Sequence, residues 1–82
     1  MPTQTVTELA EEFLRGDGQH ITYQTDDEAN AIFYGNSMRM EMRDVKSRIE
    51  QFLWLKANVL DVPAMIDDVA PVVFERIKAR ST

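Results

Sequence analysis

The chain of 82 residues contains no cysteine, and this absence excludes several kinds of chemistry. Without thiols there are no disulfides, no thiolate nucleophile and no cysteine-ligated zinc or iron–sulfur site. Histidine occurs once, at His20, and no neighbouring side chain is arranged to orient its ring or to be activated by it, so we interpret it as a solvent-facing strand residue. A single histidine is also a poor basis for a transition-metal site. We therefore expect no metal and no other cofactor.

Glycine is scarce as well. Gly16, Gly18 and Gly35 each stand where a turn is predicted, so no glycine-rich phosphate-binding loop is present. Residues 26–28 are three consecutive acids, but neighbouring side chains diverge, which favours a solvated turn or a helix cap over a cation site. These absences together predict that the protein is not an enzyme.

Long apolar runs are missing. Runs such as residues 52–55 fall far short of the ~20 residues that a membrane span needs. Residues 1–12 have neither the basic flank nor the apolar stretch of a secretory signal. We expect a cytoplasmic protein that does not bind membranes.

Positive charge is in the minority, with 9 Lys and Arg against 14 Asp and Glu and a net charge of −5. This balance disfavours general attraction to nucleic acid. The cations Arg39, Arg43, Lys46 and Arg48 nevertheless cluster, so the alternative function is a nucleic-acid-linked regulator that uses them or, by contrast, an acidic protein that mimics DNA. Specific DNA binding is not expected, because the second helix of any helix-turn-helix would begin with acidic and apolar residues.

The residues that are present predict one small α+β domain spanning residues 1–82, with 44% hydrophobic and 28% charged residues. Thr5 and Glu8 form a capping-box pattern that opens a helix over 6–15, with Gly16 as its left-handed end. Segments 19–25, 30–34 and 37–43 then predict short antiparallel strands in a meander. The rival interpretation places a short helix over 27–33 and leaves a hairpin.

The longest helical pattern runs from 44 to 60, and we expect the rest of the chain to be organised around it. Asp44 would cap it, and its apolar face would carry the core residues Val45, Ile49, Phe52 and Val59. Asp61 and Pro63 then restart a C-terminal helix. Pro71 leaves two forms open: one kinked helix, or a turn at 63–68 followed by a helix over 69–80.

Two further apolar groups have competing interpretations. Met38, Met40 and Met42 alternate along the third strand and are favoured as core residues over a binding surface. Trp54 lies off the core face of the central helix. It forms either a second core layer under the C-terminal helix or, with Leu55 and Tyr34, an exposed patch of the kind found at binding hot spots.

This order of elements is similar to that of small head-joining proteins of tailed phages, which carry a hairpin between two helices. The resemblance implies a viral or bacterial assembly protein and assigns no residue roles. We predict a non-enzymatic protein–protein interaction module, an inhibitor, adaptor or assembly protein, that binds another protein or forms a homodimer. The predicted partner-binding residues are Trp54, Leu55, Tyr34, Arg39 and Arg43.

Overall fold

The computed structural model describes residues 4–25, 31–56, 59 and 61–81. One helix is followed by a three-stranded antiparallel sheet and then by two helices, which confirms the α+β prediction with the meander. The predicted acidic turn 26–28 lies outside the described residues. The elements are α1 (Val6–Arg15), β1 (Ile21–Thr25), β2 (Ala31–Gly35), β3 (Met38–Met40), α2 (Met42–Trp54) and α3 (Val62–Arg80).

Helix α1 has the predicted bounds and the predicted capping box. The Glu8 amide donates to the Thr5 hydroxyl, and the Thr5 amide donates to the Glu8 carboxylate. These bonds lower the pKa of Glu8. Gly16 ends the helix, but its φ of −101° is not left-handed, so the predicted left-handed end is wrong. The amide of Gly16 instead closes the helix by donating to the Glu12 and Phe13 carbonyls.

The sheet runs in the order β1-β2-β3, and the helices pack on one face of its described residues. Ile21, Phe33, Gly35 and Met40 are buried on the inner face, toward the helices. Of the rival helix over 27–33, the described residues 31–33 belong to strand β2 and are not helical. Strands β2 and β3 are joined by Asn36 and Ser37, both with positive φ, which is typical of tight hairpin turns.

The methionine prediction is wrong for two of three residues. Met40 is buried opposite Phe33, but Met38 is 68% exposed and Met42 is 46% exposed. Strand β3 ends at Met40 instead of 43, because Met42 already belongs to α2. The alternation along 38–42 therefore spans two elements.

Helix α2 starts two residues before Asp44 and ends well before residue 60. Asp44 is not the N-terminal cap; its carboxylate accepts from the Glu41 amide at 2.8 Å and so fixes the first turn. At the other end, the Lys56 amide donates to the Leu53 carbonyl and closes the last turn. Of the predicted core face, Val45 and Ile49 are fully buried, whereas Phe52 and Val59 are half-buried.

Helix α3 is continuous through Pro71, which decides between the two predicted forms. Asp61 caps it by accepting from the Ala64 amide. Its buried face packs on α1, on α2 and on β1, and this packing forms the core. The buried residues of α3 are Val62, Ile66, Val69, Ala70, Val73 and Ile77.

Candidate functional site

The C-terminal end of α2 and the residue after it carry two large, exposed apolar side chains. Trp54 is 65% exposed and Leu55 is 87% exposed. Leu53 is fully buried, and successive helical residues are about 100° apart, so Trp54 is directed away from the core. The prediction of a second core layer is wrong. We call these two residues the Trp54–Leu55 tip.

Neighbouring contacts hold the tip in place. The Phe52 ring meets the buried Phe13 ring edge-on, with 5.7 Å between centroids. Just beyond the tip, the Lys56 ammonium bonds to the Glu12 carboxylate at 2.6 Å and lies 5.7 Å from the Phe52 ring centre. The end of α2 is therefore tied to α1, and Trp54 projects from a fixed position.

The bond to Lys56 changes the pKa of the Glu12 carboxylate. Its hydrogen bond from Lys56 holds the pKa of Glu12 below its ordinary value of 4.5. A second hydrogen bond, from the Gln4 amide at 2.8 Å, acts in the same direction. Both bonds favour the ionised carboxylate, so the tie is made at neutral pH.

The surroundings of Trp54 on the helix surface are polar. Glu50 and Gln51 precede it by one turn on the same side, and both are exposed. Ser47, also exposed, lies one turn further back. The tip is thus a large apolar protrusion next to an acidic side chain.

A second apolar feature lies where the start of α2 passes the middle of α3. This groove has a volume of about 570 Å³, within the range of about 300–1,000 Å³ typical of ligand pockets. We call it the α2–α3 groove. It is lined by Met42, Arg43 and Lys46 of α2 and by Asp67, Ala70, Pro71, Phe74, Glu75 and Lys78 of α3.

The floor of the α2–α3 groove is rigid, and its rim is charged. Phe74 packs on the buried Phe33 ring at 5.6 Å between centroids, and Ala70 is buried. On the rim, Lys46 lies 3.7 Å from the Asp67 carboxylate. Lys78 lies 5.3 Å above the centre of the Tyr23 ring. The groove therefore presents an apolar surface beside three cations and two acids, Asp67 and Glu75.

The structure does not bring the five predicted partner-binding residues together. Trp54 and Leu55 form the tip, and Arg43 lines the α2–α3 groove. Tyr34 and Arg39 are opposite each other on β2 and β3, on the outer face of the sheet, which α2 does not cover. Their roles in binding stay predictions. Tyr34 lines the polar outer face with Thr22 and Gln24, whereas Arg39 lines a depression with Ser47 and Gln51 of α2, the helix that carries Trp54.

The outer face of the sheet is a shallow polar surface. Tyr34 lies there beside Thr22 and Gln24, with His20 at its end. His20 is exposed, as predicted. No group of three or more His, Asp or Glu side chains is placed to hold a metal ion within residues 4–25, 31–56, 59 and 61–81.

The predicted basic cluster is largely neutralised by neighbouring carboxylates. Arg43 pairs with Glu41 at 2.8 Å, Lys46 with Asp67 at 3.7 Å, and Arg48 with Asp17 at 3.9 Å. Three of its four cations therefore have an acid beside them, which reduces the positive potential available to a phosphate backbone.

Sequence reasoning missed the α2–α3 groove. It is built from residues far apart in the chain, such as Met42 and Phe74, and only the packing of two helices brings them together. Pro71 lines the groove, but in the sequence it indicates only a possible break in the C-terminal helix.

Comparisons of the chain with protein-family models, with curated proteins and with solved structures found no match. A separate structural finding concerns membranes. Among the helices of the described residues, none combines the length and the apolarity needed to cross a bilayer.

Proposed function

We propose that this protein is a non-enzymatic binding protein that docks on another protein through the Trp54–Leu55 tip. The observation that carries the proposal is that Trp54, a large apolar side chain, is 65% exposed. Leaving such large apolar side chains in water forgoes about 1.5–3 kcal/mol each. Tryptophan is also among the residues most enriched at binding hot spots.

The surroundings of the tip define the chemistry of its partner. The tip is apolar, Glu50 stands beside it, and the chain as a whole carries a net charge of −5. A matching surface would offer an apolar pocket with cations on its rim, since charge complementarity steers approach and fixes orientation. The cysteine-free composition fits such an interaction in the cytoplasm.

The tie between α2 and α1 supports the same proposal. Because Lys56 and Phe52 are held by Glu12 and Phe13, the tip loses little freedom on binding. Preorganisation of this kind reduces the entropy lost on association.

The test is affinity capture with the tagged full chain from extracts of its native host, using wild type, Trp54→Ala and Gln51→Ala. Gln51 is the matched control, because it is exposed one turn before Trp54 on the same helix. We expect the captured partner to be retained by Gln51→Ala and lost with Trp54→Ala, whose binding should weaken at least tenfold. Equal capture by wild type and Trp54→Ala would contradict the proposal.

A further inference from the structure

We propose that the partner of the tip is a second copy of this chain, which receives Trp54 in its α2–α3 groove. This inference rests on the proposed function and names its partner. The chain carries both halves of the contact: a protruding tryptophan at the end of α2, and an apolar groove at the start of α2.

The shape of the groove suits an aromatic side chain. Its floor is formed by Ala70, Pro71 and Phe74, and Met42 adds a flexible apolar wall. Met42 is 46% exposed, so it is free to close over an inserted ring. Burying Trp54 against these side chains would remove most of the apolar surface that both features leave in water.

Pro71 supplies what the indole needs besides apolar contact. A buried tryptophan N–H requires a hydrogen-bond acceptor. Proline has no N–H, so Pro71 cannot donate to the carbonyl of Asp67 one helical turn earlier. Asp67 and Pro71 both line the groove. The groove thereby combines an apolar floor with a backbone carbonyl that lacks its usual partner from residue 71.

Charge points in the same direction. Glu50 stands beside Trp54 on the tip, while Arg43, Lys46 and Lys78 line the groove. Seating the tip in the groove brings that carboxylate toward these three cations, although Asp67 and Glu75 also line the groove and two of the cations pair with acids of their own chain. The lining has one more cation than acids, and this local attraction acts against the general repulsion between two copies of net charge −5. A carboxylate added at the groove should therefore oppose binding, both by repelling Glu50 and by introducing charge beside the indole.

The contact has to be between copies, and it has a direction. Met42 and Trp54 lie at opposite ends of α2, about 18 Å apart along an axis that rises 1.5 Å per residue, so a chain cannot seat its own tip in its own groove. Two copies that insert their tips into each other's grooves close into a symmetric dimer, whereas one-way insertion repeats from copy to copy into a ring or an open chain.

Two variants each disable one side of this contact. Trp54→Ala removes the tip and keeps the groove. Pro71→Glu keeps the tip, places a carboxylate in the groove and restores the N–H that the Asp67 carbonyl lacks. Pro71 is exposed and glutamate favours helices, so the fold should be retained, which thermal unfolding followed by circular dichroism will verify. Asp68→Ala is the control, since Asp68 is exposed on α3 and does not line the groove.

The experiment is sedimentation velocity over a range of concentrations. We expect wild type and Asp68→Ala to form dimers or larger species as concentration rises, and each of Trp54→Ala and Pro71→Glu to associate at least tenfold more weakly. An equimolar mixture of these two variants should give a one-to-one dimer and nothing larger, because only one working tip and one working groove meet.

Three results would overturn the inference. A mixture that stays monomeric would exclude the tip–groove contact. A wild type that associates no more strongly than Trp54→Ala would exclude the tip as one half of the contact. A wild type that is monomeric at every concentration would exclude a second copy as the occupant. In that last case, Trp54-dependent capture of a different protein would still uphold the proposed function.

Discussion

Two sides of the domain differ in how much apolar surface they leave exposed. On the side where α3 meets β1, polar side chains close the structure: Arg80 donates to the carbonyls of Gly18 and Ile21, and the Ser81 hydroxyl accepts from the Tyr23 amide. Partial burial lowers the pKa of the Arg80 guanidinium. These bonds occupy backbone groups at the outer edge of β1, which would otherwise be free to pair with another strand. We call this the closed side.

The other side, formed by the outer surface of α2 and the α2–α3 groove, is left open. Met42, Trp54 and Leu55 are exposed there, and the groove floor meets solvent. The difference indicates that folding and binding are divided between the two sides. Residues of the closed side determine whether the chain folds, whereas residues of the open side are free to serve binding. The predictions that follow test that division.

The largest expected effect is that of Phe13→Ala. The ring is fully buried, packs against Gly18 of the closed side and contacts Phe52 edge-on. Its removal should lower the free energy of unfolding by about 3–5 kcal/mol, as large-to-small substitutions of core aromatics do. Urea denaturation measures this. Trp54→Ala is the matched aromatic control and should change stability by less than about 0.5 kcal/mol; a loss comparable to that of Phe13→Ala would abolish the distinction between the two sides.

A smaller loss is expected from adding one methyl group at Gly18. A Cβ there would lie 2.5 Å from the Phe13 ring, which is fully buried and has no room to move. Gly18→Ala should therefore lower stability by about 1–3 kcal/mol through overpacking.

Gly35→Ala provides the comparison for Gly18→Ala. A Cβ at Gly35 would meet the Met40 sulfur at 2.8 Å, and that flexible thioether can shift. Its cost should be the smaller of the two. Equal losses in thermal unfolding would mean that the Phe13 ring is not fixed as described.

Arg80→Ala tests the hydrogen bonds that join the end of α3 to the closed side. It removes the hydrogen bonds to the Gly18 and Ile21 carbonyls and should lower stability by about 1–2 kcal/mol. Arg76→Ala removes only an exposed pair with Glu11 at 3.4 Å and should cost at most about 1 kcal/mol. If Arg76→Ala proved the more damaging in urea denaturation, the assigned role of Arg80 would be wrong.

The smallest effect concerns Glu12, whose bond to Lys56 joins α1 to the tip. Because folding lowers the pKa of Glu12, its contribution is complete above the ordinary value of 4.5 and is lost as pH falls through the folded pKa. Glu12→Gln should thus be less stable than wild type at neutral pH, by less than about 1 kcal/mol. The difference should vanish in acid.

Two outcomes would reveal a different role for Glu12. They are a constant difference between wild type and Glu12→Gln at all pH values, or one that grows in acid. Glu8 titrates in the same pH range, because its bonds to Thr5 also lower its pKa. It is present in both proteins, so its contribution cancels in the comparison.

Sequence patterns predicted the elements that depend on local periodicity and capping. Thr5 and Glu8 fixed the start of α1, and the spacing of Val45 and Ile49 identified the buried face of α2. The patterns failed where two local preferences compete. Met42 fits a strand by alternation and a helix by its spacing from Val45, and the hydrogen bond between Asp44 and Glu41 favoured the helix.

Features that depend on tertiary packing were not predictable in this way. No local pattern indicates that Arg80 reaches Gly18, or that Met42 and Phe74 share a groove. For the candidate site, the sequence selected Trp54 and Leu55 but left their exposure open, because exposure depends on where α3 packs. It also grouped Tyr34 with them, although the sheet directs Tyr34 to its outer face.

The central claim is that Trp54 stands in water in the isolated folded chain and is covered only on association. As the single tryptophan, it can be observed directly by its fluorescence. In dilute native protein we predict emission at the long wavelengths of a solvated indole, open to acrylamide quenching, with a blue shift and protection as concentration rises. A blue-shifted, protected emission in the dilute monomer would mean that Trp54 is buried within its own chain, and would contradict the account.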